Sequence, residues 1–253
     1  MTVRELYKKL IARLPDSLAE AWDNDGLMVC PNADAPVRRV LLALDATENV
    51  VDFAIENRFD LILTHHPLIF RPLTSLSEDT PVGRKVIKLI ESGIAVISFH
   101  TRADRVDGGV NDVLADLLGL SDVEPLGEDG MGRVGYLEEP MSLEDFSAFI
   151  KARLGAPILN VADGGDLVHK VAVLGGEGKD YLKAALASEA DTYLSGNLGY
   201  HVMEDAPELG INLIEGGHYY TERAVLGFFE ELLSLMDPAI VCHALASNNA
   251  RWM

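Results

Sequence analysis

A histidine pair stands where a short apolar run ends, and its position suits metal binding. His65 and His66 directly follow the letters LILT and precede Pro67. Neighbouring side chains of an extended chain point to opposite sides, so the two imidazoles can reach two sites a few ångströms apart. Neutral imidazole is the commonest metal ligand in proteins. The alternative interpretation is a histidine pair that is hydrogen-bonded to the backbone of its own loop.

Two further stretches add carboxylates to imidazole. The letters SFHTRADRVDGGVND place His100, Asp104 and Asp107 after a predicted strand; alternatively, these aspartates bond backbone amides before the next helix. The letters GGHYYTE place His218 and Glu222 four positions apart, on one face of a helix. Such a pair is otherwise typical of a solvated helix surface. Each stretch alone is a weak signal, and the three together favour a divalent metal site.

Short apolar strands alternate with amphipathic helices along the chain. Strands are predicted over 40–44, 61–63, 94–98, 171–174, 192–194 and 211–214. Helices are predicted over 3–14, 50–57, 82–92, 110–118, 142–154, 181–187 and 219–236. Strands that are apolar throughout are usually buried on both faces, in largely parallel, helix-covered sheets. The sequence therefore predicts an α/β fold, whose ligand sites lie beyond the carboxyl ends of the strands.

Two lobes of comparable size are predicted. Residues 121–133 are rich in proline, glycine and acidic side chains, which is typical of a junction. The first lobe, 1–125, would carry the histidine pair and the stretch with Asp104. The second, 126–253, would carry His218 and Glu222, and a C-terminal segment such as 239–246 is expected to return to the first lobe.

The charge balance disfavours several classes of partner. The 253 residues include 21 Lys and Arg against 40 Asp and Glu, for a formal net charge of −19. So acidic a chain has no general attraction for nucleic acid or for an anionic membrane surface. The N-terminus lacks the continuous apolar stretch of a signal peptide, and Cys30 and Cys242 are too few for a disulfide framework. We therefore expect a cytoplasmic protein.

The number of candidate ligands favours two metal ions rather than one. Three imidazoles and two carboxylates exceed the three protein ligands usual for a single catalytic zinc; they are His65, His66, Asp104, His218 and Glu222. Such a set fits two ions that share a bridging carboxylate. Nitrogen and oxygen ligands without thiolate suit zinc, iron, manganese or nickel. The added positive charge would also let this acidic protein bind an anionic substrate.

A set of motifs across nearly the whole chain resembles the GTP cyclohydrolase type 2 homologue family in its short form: AEAWDNDGLMV, LTHHPLIF, SFHTRADRVDGGVNDVLADLLGL, SGNLGYH and GGHYYTERAVL. The resemblance implies two intertwined α/β lobes, a dinuclear metal centre and a homohexamer. It implies the same five metal ligands, with Glu222 bridging both ions. It further implies that His100 and His201 face the substrate or support the ligands.

Two function classes follow from this resemblance. The first is a metal-dependent hydrolase acting on a nucleotide or pterin-like small molecule, with His100 or His201 moving protons. The alternative is a non-catalytic hexamer that stores or delivers metal or serves as a scaffold. Asn197 stands where many relatives have an acidic residue, and an amide cannot act as a base. Trp22, in the WDN letters, is expected to pack against the protein rather than to stack on a substrate.

Overall fold

The computed structural model describes residues 1–165 and 167–250, in two compact units. The first unit comprises Met1–Val106 and Val225–Asn249, and the second comprises Asp107–Ala224. Each unit is built on one β-sheet with flanking helices. The predicted α/β class is therefore confirmed.

The strands are numbered in chain order. They are β1 (Gly26–Val29), β2 (Arg39–Ala43), β3 (Leu61–Thr64), β4 (Ala95–Ser98), β5 (Ser121–Leu126), β6 (Gly132–Met141), β7 (Asn160–Ala162), β8 (Val168–Glu177), β9 (Thr192–Asn197), β10 (Asn212–Glu215) and β11 (Val241–Ala244).

The α-helices are α1 (Val3–Arg13), α2 (Glu48–Glu56), α3 (Pro81–Ser92), α4 (Thr101–Arg105), α5 (Val110–Leu117), α6 (Leu143–Leu154), α7 (Leu182–Ala187), α8 (Tyr200–Glu204), α9 (Ala206–Leu209), α10 (His218–Glu222) and α11 (Val225–Met236). Within the described ranges, no helix combines the length and the apolar character that a bilayer span requires.

The first unit has a five-stranded sheet in the order β1-β4-β3-β2-β11. Strands β11, β2, β3 and β4 run parallel, and β1 is antiparallel to β4. Thr64 at the end of β3 is paired with Ser98 at the end of β4. The residues that follow these two strands therefore emerge at the same edge of the sheet, which is where the histidine pair and His100 begin.

The second unit has a six-stranded mixed sheet in the order β5-β6-β8-β9-β10-β7. The pairs β8–β9 and β9–β10 are parallel, and the pairs β5–β6, β6–β8 and β7–β10 are antiparallel. Alternate strand residues face two different cores: Val173 and Leu194 pack with α5 and α6, whereas Ala172 and Tyr193 pack with α7, α8 and α9. The three central strands are thus buried on both faces.

Two local predictions were wrong. The segment 121–133, predicted as a junction, forms the antiparallel hairpin of β5 and β6, closed by Gly127 and Gly130 in the left-handed region. The single helix predicted over 219–236 is two helices, α10 and α11. Helix α10 packs on β8 and β9 of the second unit, whereas α11 packs on β2 and β11 of the first. An apolar periodicity that continues across both helices does not reveal that break.

Candidate metal centre

The turn after β3 positions the histidine pair in the first unit. Thr64 fixes this turn: its Oγ1 donates to the carbonyl of His66 at 2.8 Å and lies 2.8 Å from Oγ of Ser98. The backbone amide of His66 donates to the carbonyl of Leu44 at 2.8 Å. His65 is completely buried. The side-chain hydroxyls at the ends of two strands therefore hold the backbone from which both imidazoles project.

Each ring of the pair is oriented through its Nδ1 atom. Nδ1 of His65 lies 3.0 Å from the carbonyl oxygen of Phe99, and Nδ1 of His66 lies 2.8 Å from Oδ1 of Asp45. Both acceptors favour the tautomer with the proton on Nδ1, which places the lone pair of the neutral ring on Nε2. That is the arrangement commonly found around metal-ligating histidines. Nε2 of His65 lies 3.5 Å from Oδ1 of Asp104 on α4.

A third imidazole, that of His100, is held by a carboxylate. Its Nδ1 lies 3.0 Å from Oδ1 of Asp23, whose Oδ2 accepts hydrogen bonds from the amide and hydroxyl of Thr101. Burial opposes ionisation of Asp23, but its hydrogen bonds to His100 and Thr101 lower the pKa of Asp23 to about 2. Burial likewise disfavours protonated His100, but the hydrogen bond to Asp23 and the charge of Asp104 raise the pKa of His100.

The three imidazoles of the first unit converge. One nitrogen from each of His65, His66 and His100 lies within 4.8 Å of the others. Imidazole nitrogens are common ligands of zinc, and donor atoms grouped this closely could hold a metal ion. The donor set of imidazoles with a neighbouring carboxylate also suits a divalent transition metal. The first unit alone therefore groups side chains that can hold a metal ion.

In the second unit, the predicted ligand pair occupies the short helix α10. Nε2 of His218 lies 3.2 Å from Oε2 of Glu222, one helical turn away. Glu222 is buried, with only 5% of its side chain exposed. Helix α10 follows Gly217, whose φ of +84° few other residues adopt. The sequence left open a pair on a solvated helix surface, whereas in the structure the half-buried imidazole of His218 lies against the buried carboxylate of Glu222.

Glycines at the ends of β8 and β9 allow α10 to approach the sheet. A Cβ atom at Gly176 would collide with Oε1 of Glu222 and stand 3.3 Å from Nε2 of His218. A Cβ atom at Gly196 would stand 2.8 Å from Cα of His218. The amide of Gly176 also donates to Oγ1 of Thr221 at 3.1 Å. These glycines therefore let the sheet support His218 and Glu222 directly.

Asn197 is the neighbour of His218 on the other side of the ring. Its side-chain amide lies 3.3 Å from Nδ1 of His218, and its backbone carbonyl accepts from the amide of Gly178 at 3.0 Å. As placed, Nδ2 of Asn197 donates to the unprotonated Nδ1 of His218; a neutral imidazole that ligates through Nε2 carries its proton on Nδ1, and Asn197 accepts that hydrogen bond once its side-chain amide is rotated to present the oxygen. The residue can therefore orient His218 without serving as a base.

Two further candidates are exposed side chains of the second unit. His201 lies on α8 as an exposed side chain, with its ring 5.4 Å from that of Tyr200. Asp107 is exposed in the loop before α5. Reasoning from the sequence missed Asp45, which orients His66. Its only sequence signal was its position after the predicted strand 40–44, because the pairing of that strand with the one that ends at the histidine pair is a property of the sheet.

Comparisons with known proteins agree with the motifs. A family model described as DUF34/NIF3 (NGG1p interacting factor 3) matches residues 1–248. A protein of Clostridium perfringens named GTP cyclohydrolase 1 type 2 homolog is 39% identical, over 84% of this chain and 83% of its own. A protein of the same name from Methanocaldococcus jannaschii is 34% identical, over 92% of this chain and 95% of its own.

Solved structures share the fold over the full length. A Bacillus cereus protein related to NIF3 matches with a TM-score of 0.90 and 26% identity, covering 100% of this chain and 99% of its own. Reduced HcgD from Methanocaldococcus jannaschii matches with a TM-score of 0.85 and 31% identity, covering 97% of this chain and 98% of its own.

Proposed function

The chain belongs to the DUF34/NIF3 family, and from that premise we propose that it is a dinuclear-metal-dependent hydrolase acting on a nucleotide or pterin-like small molecule. The observation that carries the proposal is the pairing of an imidazole with a carboxylate in each unit: Nε2 of His65 lies 3.5 Å from Oδ1 of Asp104, and Nε2 of His218 lies 3.2 Å from Oε2 of Glu222. Imidazole and carboxylate donors grouped in this way are typical of a divalent metal site.

The proposed ligands are those predicted from the sequence: His65, His66, Asp104, His218 and Glu222, with Glu222 as the bridging carboxylate. Each unit by itself supports its share of this set. In the first, Phe99 and Asp45 orient the two imidazoles. In the second, Glu222 lies buried against His218. Two ions, when bound, lower the pKa of a coordinated water and polarise the substrate.

The chain's own residues would orient the substrate and move protons. His100 stands in the cluster with Asp23 on its Nδ1 atom, an arrangement that fixes the ring for proton transfer through its other nitrogen. His201, which is exposed on α8, is the second proposed proton-transfer group, as the family resemblance implies. The carboxylate of Asp23 keeps a negative charge beside His100, which stabilises the imidazolium formed when that ring takes up a proton.

GTP is the first substrate to test, since the relatives carry the name GTP cyclohydrolase 1 type 2 homolog. In that reaction one water molecule opens the imidazole ring of guanine by cleaving a C8–N bond, and a second cleaves the other C8–N bond, so that C8 leaves as formate. We also propose, from the family resemblance, that the protein assembles as a homohexamer. Sedimentation velocity of the purified protein tests the assembly, and a monomer or dimer at working concentration would contradict it.

The test of the function combines elemental analysis with a turnover screen on GTP, other nucleotides and simple phosphoesters. We expect bound divalent metal and turnover that chelation abolishes and metal addition restores. His100→Ala should lower the rate while metal remains bound. Reversible metal binding with no turnover of any of these compounds would refute the hydrolase and favour a protein that stores or delivers metal.

A further inference from the structure

Two exposed aromatic side chains adjoin the histidine cluster of the first unit. The ring of Trp22 lies 6.1 Å from that of Phe70 and 6.1 Å from that of His100, and Phe70 lies 6.4 Å from His100. All three contacts are edge contacts. Yet 60% of Trp22 and 44% of Phe70 remain exposed. The prediction from the sequence that Trp22 packs against the protein is therefore wrong for most of this side chain.

The loops that carry the two rings are fastened to each other and to His100. Asp23, next to Trp22, bonds His100 and Thr101. The side-chain amide of Asn24 donates to the carbonyl of Ile69, next to Phe70. The backbone on both sides is thus held by hydrogen bonds, while the rings stay open to solvent. Preorganised aromatic surface of this kind lowers the entropy cost of binding a ligand.

We propose that Trp22 and Phe70, the aromatic platform, bind the planar heteroaromatic ring of the substrate, a purine or pteridine. This inference rests on the proposed function, because it takes the imidazole cluster to be the reacting site. His100 links the two, because its ring touches both platform residues and lies 5.3 Å from His65 and 5.6 Å from His66. A ring stacked on Trp22 would therefore lie beside the imidazole cluster.

Recognition by the platform depends on the ring rather than on phosphate charge. The nearby carboxylates of Asp23 and Asp25 are already engaged, the first with His100 and the second with Arg102. The two platform rings themselves carry no charge that would bind a phosphate group, on a chain of net charge −19. A nucleoside should thus gain as much from Trp22 as its triphosphate does.

The experiment measures binding by equilibrium dialysis of labelled guanosine, GTP and neopterin, with ribose 5-phosphate as the probe that lacks an aromatic ring. The proteins are the purified chain and its Trp22→Leu, Trp22→Phe and Phe70→Ala variants. Leu76→Ala is the matched control, because Leu76 is 50% exposed in the same loop as Phe70. Trp22 fluorescence, recorded in a Trp252→Phe background, reports direct contact.

Base–aromatic stacking contributes enough for an alanine substitution to weaken binding roughly 5- to 150-fold. We expect a loss in that range for Trp22→Leu, a smaller loss for Trp22→Phe and none for Leu76→Ala. Quenching of Trp22 by guanosine but not by ribose 5-phosphate would support the platform. Equal affinity of Trp22→Leu and wild type for every ring compound would overturn it.

Different results would refute the hydrolase proposal and the platform proposal. Ring compounds that bind through Trp22 without any turnover would refute the hydrolase and leave the platform standing. Turnover with an unchanged KM in Trp22→Leu would refute the platform and leave the hydrolase standing.

Discussion

Oδ1 of Asp45 lies 2.8 Å from Nδ1 of His66, and the same aspartate is itself held by Ser247, whose Oγ accepts from the backbone amide of Asp45 at 3.2 Å. A carboxylate in this place fixes the imidazole tautomer and raises the basicity of the other nitrogen. Asp45 lies at the end of one strand and His66 at the end of its neighbour, so the pair depends on the sheet register.

We predict that Asp45→Asn lowers metal affinity about 10- to 100-fold, the range found for partners of ligating histidines. The cause is the loss of the negative charge that holds the proton on Nδ1. Competition titration with a metal indicator measures the change. Asp52→Asn is the matched control, because Asp52 pairs with Lys88 on α3. Unchanged affinity in Asp45→Asn would show that His66 needs no such support.

Much of the first unit could be predicted because its signals are local. Helix α3 was predicted over 82–92 and spans Pro81–Ser92, since Pro81 suits a helix start and Gly93 adopts the left-handed C-cap. Strands β3 and β4 are runs of buried apolar residues. By contrast, β1 pairs antiparallel with β4, a tertiary relationship with no periodic pattern of its own.

The candidate site divides in the same way. His65, His66 and Asp104 could be selected because they follow strand ends that the apolar pattern marks. The roles of Asp45 and Trp22 could not be predicted. The role of Asp45 depends on which strand lies next to β3, and that of Trp22 depends on how much of its ring remains exposed. Neither property can be predicted from the residues that are adjacent in sequence.

Asn197 offers a second test of imidazole orientation. We expect Asn197→Leu to weaken metal binding roughly ten-fold, at the lower end of the range for such partners, because Nδ1 of His218 loses its hydrogen-bonding neighbour at 3.3 Å. Asn197→Asp should bind metal at least as tightly as the wild type, since a carboxylate accepts from a protonated Nδ1 without the amide rotation that asparagine needs. The same indicator titration measures both, and equal affinity in the leucine variant would contradict the role.

Gly196 tests whether close packing positions α10. An alanine Cβ there would collide with the backbone carbonyl oxygen of Gly176 on β8 and would stand 2.8 Å from Cα of His218 and 2.9 Å from Oγ1 of Thr221. We expect Gly196→Ala to lower the free energy of unfolding by about 1–3 kcal/mol and to reduce bound metal. Gly227→Ala is the control, because its Cβ meets nothing within 4 Å. Denaturant unfolding with elemental analysis checks both, and full metal content in Gly196→Ala would contradict the prediction.

Glu215 makes stability depend on pH. Burial opposes its ionisation, but hydrogen bonds from Asn160 and from the amides of Gly199 and Leu198 lower the pKa of Glu215. A lowered folded-state pKa means that the stabilisation is present above the unfolded-state pKa of about 4.3 and is lost as the pH falls through the folded-state value. Glu215→Gln should therefore cost about 1 kcal/mol near pH 7, since solvent screens this partly exposed group.

The check on Glu215 is a pair of urea-unfolding series from pH 7 to pH 3. The difference between wild type and Glu215→Gln should shrink as the pH falls. Glu204→Gln, a change at an exposed glutamate on α8, should show little difference at any pH. A difference for Glu215→Gln that does not vary with pH would mean that the charge is unimportant.

Metal content per chain tests the central claim most directly. We predict two divalent ions per wild-type chain by elemental analysis, and fewer than two in both His65→Ala and Glu222→Gln. The glutamine variant removes the negative charge proposed to bridge the ions and keeps the side-chain shape, whereas Glu204→Gln should retain both ions. Wild-type metal content in Glu222→Gln, or a wild-type chain that binds no divalent ion, would contradict the account.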